Sequence, residues 1–166
     1  MKKLIALCAA ALLCLSLLSA CGAKPAEEKK VDLAAFAQTL TETHQFSNFV
    51  ERLDVSDPDF GAVMLENSYP ALKDMELEQL EIYLSMVSFN TGEFALAQAK
   101  SADAAAKVKE AFEARIAGMT EEGLNYPETV ELWSKSAKVA ASGTYVMLVC
   151  HEDADAIVGE FEALFK

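Results

Sequence analysis

Cys150 and His151 stand side by side near the end of the chain. A thiol beside an imidazole is the pairing from which cysteine nucleophiles are made. On a strand, however, adjacent residues face opposite sides. If the strand that starts near Thr144 runs through His151, the two cannot meet, and Cys150 reads as a small hydrophobe closing a core strand. His44, the other histidine, could still approach Cys150 through the fold. The run His151-Glu152-Asp153-Ala154-Asp155 gathers metal-ligand types, yet it also opens a helix, where carboxylates suit the positive dipole end. Capping is the preferred reading, because no partner ligands lie at a recognisable metal spacing and the chain has neither HExxH nor CxxC. Asp54, Asp57 and Asp59 share a loop with Gly61, which for an exported protein suggests calcium. The glycine is misplaced and the bidentate glutamate missing, so these acids are expected to be solvated. No serine sits in a GxSxG context, and the scattered glycines form no phosphate cradle. Tyr69, Tyr83, Tyr126 and Trp133 could make an exposed ligand patch, but aromatic residues at this density are expected in the core or half-buried. No residue is assigned a catalytic, cofactor or metal role.

The charge balance narrows the partners. The 166 residues carry 14 Lys and Arg against 26 Asp and Glu, a net charge of −12. Such a surface argues against nucleic acid, which wants basic groups, and against the domain lying flat on anionic lipid.

The N-terminus explains where such a chain would work. Met1-Lys2-Lys3 is a short positive segment, and Leu4 to Leu18 is apolar except for Ser16. This is the build of a secretory signal peptide and is shorter than the roughly 20 apolar residues of a membrane span. Leu18-Ser19-Ala20-Cys21 resembles a bacterial lipobox. The resemblance implies cleavage between Ala20 and Cys21 and a diacylglycerol on the Cys21 sulfur. Cys8 and Cys14 each follow a leucine, where that pattern wants a small residue. An ordinary secretory cleavage that leaves Cys21 as a free thiol is the alternative. Acyl chains supply about 0.8 kcal/mol per buried methylene, and two chains anchor stably where one does not. Residues 21–30 then form the lipidated cysteine and a flexible tether of about 30 Å when extended. Without Lys2 and Lys3 the chain keeps 12 basic residues against 26 acidic ones, a net charge of −14. Cys150 would be the one thiol left besides Cys21, so the fold must rest on its core rather than on a disulfide.

Residues 31–166 are expected to form one domain. Asp32 is an N-cap, Val31 can staple onto Phe36, and Leu33, Phe36, Ala37, Leu40 and His44 share a helix face. A short helix is expected from Ser47 to Leu53, a turn-rich loop from Asp54 to Gly61, and a helical turn from Glu76 to Gln79. Ile82 to Phe89 reads as a strand, Asn90-Thr91-Gly92 as its turn and Glu93 to Lys100 as its return. Ser101 caps a long helix with Ala105, Val108, Phe112, Ile116 and Met119 on one face. Glu128 to Ser134 is a short helix holding Trp133. Ala137 to Ala141, the turn Ser142-Gly143 and Thr144 to Cys150 form a second hairpin, and Asp153 caps a last helix bearing Ala154, Ile157, Val158, Phe161 and Leu164. Two hairpin-helix units, with a weak echo of AFEA at Ala111 in EFEA at Glu160, predict an α+β two-layer sandwich. Its four-stranded antiparallel sheet would be covered on one face, with extra N-terminal helices.

The succession VDLAAFAQTL, LEQLEIYLS, FALAQAKSADAAAKVKEAFEAR, YPETVELW and GTYVMLVC resembles the domain-of-unknown-function 4358 family over nearly all of Val31 to Phe165. Its shared features are diffuse: a helix opening, an acidic residue before a strand, and a Gly-Tyr-Val strand. The resemblance implies a small bacterial lipoprotein, held by lipid on the extracytoplasmic face of the cell membrane, and supplies no reaction. The expectation is a non-enzymatic module that binds another envelope component. The alternatives are a small-ligand or cation receptor and a small hydrolase using His44, His151 or Cys150.

Overall fold

Two strands are buried almost from end to end, and they decide the architecture. The chain is described by a computed structural model covering residues 29–87, 92–121 and 125–166. Strand β3 (Glu93–Ala99) reads EFALAQA and is buried except at Gln98. Strand β5 (Tyr145–Cys150) reads YVMLVC and is buried throughout. Alternate residues of a strand face opposite sides, so such strands need cover on both.

The five strands form one antiparallel sheet in the order β1-β2-β3-β5-β4. β1 is Val50–Arg52, β2 Leu77–Ser85 and β4 Ala137–Ser142. The two long hairpins join at their return strands, with Glu93 opposite Cys150 and Gln98 opposite Tyr145. On one face Ala95, Ala97, Val146, Leu148 and Cys150 pack under Val108, Phe112 and Trp133. Those last residues belong to the helices α3 (Ala102–Thr120) and α4 (Pro127–Ser136), which share this layer with α2 (Gly61–Ser68) and a 3-10 turn at Pro70–Leu72. On the other face Phe94, Leu96, Met147 and Val149 pack against α1 (Leu33–Thr43) and α5 (Ala154–Ala163). The class is α+β as expected, but the arrangement has three layers and five strands. The two hairpin-helix units send their helices to opposite faces.

The elements form where their residues require. Asp32 Oδ1 accepts from the Ala35 amide at 3.0 Å, and Ser101 Oγ accepts from Ala104 at 3.2 Å, so both expected caps are in place. Val31 and Phe36 enter one apolar cluster. Gly143 turns the β4–β5 hairpin with φ 58°, a conformation that only glycine adopts freely. Gly61 starts α2 against the Asp54 carbonyl oxygen, where a Cβ would overlap it.

Two local expectations are corrected, and one element is added. Ser47 to Leu53 holds no helix; Val50–Arg52 pairs with β2, Val50 opposite Ser85 and Arg52 opposite Tyr83. A segment this short cannot offset helix nucleation, whereas the open edge of β2 supplies partners at once. Arg52 also grips Glu81 on that strand with two hydrogen bonds of 2.7 and 3.0 Å. Glu76 to Gln79 is not helical, because β2 already begins at Leu77. A register irregularity between Leu77 and Gln79 lets Gln79 reach the domain entrance. Its amide accepts from Leu33 N–H at 2.9 Å and donates to the Val31 carbonyl at 2.8 Å. Finally, α2 was not foreseen at all.

Residues Val31–Lys166 form one compact unit. The signal segment, the lipobox with Cys21, most of the tether, Phe89 and the Asn90-Thr91 turn lie outside the described residues. No helix among the described residues is long and apolar enough to cross a membrane. Replacing Gly143 with Ala should cost about 1–2 kcal/mol through the left-handed backbone. Urea unfolding should show a lower midpoint with an unchanged m-value; an unchanged midpoint would remove this account of the turn.

Candidate functional site

Glu93 is the first residue of β3 and shares the face of Ala95, so its carboxylate enters the layer of α3 and α4. It is 1% exposed. A buried carboxylate needs a cation and donors, and both are supplied. Arg115, about one and a half turns before the end of α3, donates Nε–H to Oε1 and Nη2–H to Oε2, each at 2.9 Å. The Tyr69 hydroxyl donates to Oε1 at 2.6 Å. The guanidinium carbon lies 5.5 Å from the ring centres of both Tyr69 and Trp133. Burial opposes the charge on Arg115, but the Glu93 carboxylate and its hydrogen bonds outweigh that, and the pKa is raised. Burial, followed by the Glu93 charge, holds Tyr69 well above the usual phenol range. The cluster is thus a charged, fully bonded block inside an apolar layer.

Two concavities flank Arg115. A cavity of about 360 Å³ is lined by Tyr69, Ala111, Ala114 and Met119, with Asn67 and Asn125 at its walls. A second, of about 190 Å³, is bounded by Ser85, Glu93, Thr129 and again Arg115, Met119 and Asn125. The Asn125 side chain donates to the Gly118 carbonyl at 2.8 Å, which ties the loop before α4 to the end of α3.

The residues suspected of chemistry fall elsewhere. Cys150 belongs to the core on the face of α3 and α4, whereas His151 lies under Phe46, ring centres 4.6 Å apart, toward α1 and α5. β5 ends at Cys150, so strand alternation does not extend to His151, yet the two still fall on opposite faces of the sheet. Burial, followed by the Glu93 charge, pushes the Cys150 thiol up to about 12, so a thiolate is not available near neutrality. His44 does not reach Cys150. It caps the C-terminus of α1 and meets His151 instead, with ring centres 5.9 Å apart. His44 Nε2 lies 3.1 Å from Glu160 Oε1, and His44 Nδ1 lies 3.6 Å from Asp153 Oδ2. Asp153 occupies the N-cap position of α5 but makes no side-chain capping hydrogen bond. The capping role expected for its carboxylate is therefore corrected: the side chain turns to the two histidines.

The acidic loop forms turns instead of converging. Asp54 Oδ1 accepts from the Ser56 amide and hydroxyl, which lowers its pKa, and Asp57 Oδ1 accepts from the amides of Asp59 and Phe60. Of the four suspected aromatic residues, Tyr69 and Trp133 are core, and Tyr83 stacks on Phe94 across the sheet. Tyr126 is exposed, so no patch forms. The Glu93-Arg115-Tyr69 block was missed as a unit. The signal available was a glutamate opening a mostly apolar strand.

A three-layer α+β domain with a buried acid–guanidinium block under a surface cavity is the class that this geometry defines. The chain belongs to the family described as Domain of unknown function (DUF4358), whose profile matches residues 57–151, more than half of it. No curated protein and no solved structure matches.

Glu93→Gln leaves Arg115 charged and buried without its counter-ion, and should lower stability by about 3–5 kcal/mol in chemical unfolding. A loss below about 1 kcal/mol, the scale of an exposed pair, would show that the block is solvated. The alkaline limb should also be steep. The unfolded chain releases the Cys150 proton from 9.0 and the Tyr69 proton from 10.0, while burial holds both in the fold. Stability present below pH 9 is therefore lost as pH rises towards 12. Cys150→Ala should flatten that limb in melting curves; an identical pH profile would contradict the assignment.

Proposed function

We propose that the protein is a non-enzymatic, lipid-anchored module on the extracytoplasmic face of the cell membrane. It binds another envelope component through the cavity beside Arg115. The observation that carries this reading is the cavity's floor. Glu93 accepts two of the guanidinium's N–H groups and the Tyr69 ring lies 5.5 Å from its carbon, so Arg115 serves as a rigid wall and not as a reactive group. Around it stand small and apolar side chains with asparagine amides at the edge, a lining that suits a side chain or small apolar group of a partner. The nucleophile considered from sequence, Cys150, is sealed in the core with its thiol protonated. The lipobox at Leu18 to Cys21 and the short tether hold the domain within reach of other membrane-attached proteins.

A photoreactive residue placed at Ala114, on the cavity wall, should crosslink one reproducible envelope protein in intact cells. The same probe at Glu42, on the exposed side of α1, should not capture it. Ala114→Trp should block the cavity and remove the adduct, and Cys21→Ser should release the protein from membranes and abolish capture. Equal capture from both probe positions, or none from either, would refute the docking role. Intact-mass analysis lacking a diacylglycerol on Cys21 would refute the anchor.

A further inference from the structure

The geometry points to a zinc-class divalent metal site formed by His44, His151 and Asp153 on the face of the sheet opposite the cavity. One ligand atom from each residue lies within 4.8 Å of the other two. Asp153 Oδ2 is 3.6 Å from His44 Nδ1 and 3.9 Å from His151 Nδ1. Tetrahedral zinc with nitrogen and oxygen ligands holds them about 3.4 Å apart. The two edges to Asp153 need to close by tenths of an ångström, and the edge between the histidines, within 4.8 Å, by up to about 1.4 Å. Asp153 is exposed and free of a capping bond, so it is the residue that can move.

The second set of contacts selects the tautomers that a metal needs. Glu160 Oε1 accepts from His44 Nε2 at 3.1 Å, which leaves the lone pair on Nδ1. The Gln45 carbonyl accepts from His151 Nε2 at 3.3 Å, which leaves the lone pair of that ring on Nδ1 as well. Both lone pairs are thus on the side of Asp153 Oδ2. An outer carboxylate or carbonyl on the far nitrogen is the usual orienting partner of a metal-bound histidine. His151 Nδ1 also accepts from the Asp153 amide at 3.0 Å, and the metal replaces that donor. The start of α5 carries a positive dipole end, which Glu152, Asp153 and Asp155 counter. Two imidazoles and one carboxylate favour zinc, cobalt, nickel or copper over calcium. The half-exposed Asp153 leaves room for water in the fourth position.

Titration of the purified full chain with Zn²⁺ by calorimetry, and with Co²⁺ by visible absorption, tests the site. One equivalent should bind, raise the melting temperature and, for Co²⁺, give intense tetrahedral bands. His44→Ala and Asp153→Asn should abolish binding, and Glu160→Gln should weaken it about 10–100-fold. Asp153 is exposed, so its variant keeps the fold and serves as the decisive test. Asp57→Asn, in the loop before α2, should bind as the parent does. No saturable binding at millimolar Zn²⁺ overturns the proposal. So does binding that survives both His44→Ala and Asp153→Asn.

Discussion

The structure depends on the burial of β3 and β5 on both sides. Strands buried on both faces cannot stand at a protein–water boundary. Each face buried at roughly 25 cal/mol per Å² of apolar surface favours a third layer over exposure. Phe94, Leu96, Met147 and Val149 call for α1 and α5, and Ala95, Ala97, Val146 and Leu148 call for α3 and α4. The two faces thereby receive different chemistry. One holds the acid–guanidinium block and its cavity, the other the two histidines.

The block itself reconciles a charge with that burial. Glu93 enters the apolar layer at the first position of β3, opposite Cys150. Arg115 can answer it because a long helix brings a guanidinium back over the strand from which the chain came, and because its planar fork matches two carboxylate oxygens. The Tyr69 and Trp133 rings both lie 5.5 Å from the same group, so β3, α3, α4 and the end of α2 meet around a single ion pair. A surface built around such a block changes little on binding, which suits a docking module. The domain's entrance is fixed in a similar way on the other face, where Gln79 and the Tyr145 hydroxyl hold the backbone of Val31 and Leu33. That clamp positions α1, and with it His44.

Local signals were legible wherever a residue acts on its neighbours in the chain. Asp32 and Ser101 cap because their oxygens reach amides three residues on. Gly143 turns because its φ needs no partner. The helical faces of α1, α3 and α5 followed from period alone. The short strand β1 was not legible, since Val50–Arg52 is a strand only because β2 offers an edge. The second covered face was legible in principle. YVMLVC does not alternate, and a strand without alternation declares cover on both sides.

The candidate sites divide along the same line. The amino-acid sequence by itself determined the α+β class and the helical faces, because periodicity is a property of a few neighbouring residues. Only the tertiary structure decided that Glu93 meets Arg115 and Tyr69, that His44 crosses the domain to His151, and that Asp153 leaves its helix end to join them. Those encounters join residues far apart in the chain, and their geometry is set by how helices stack on a sheet, which no local pattern encodes.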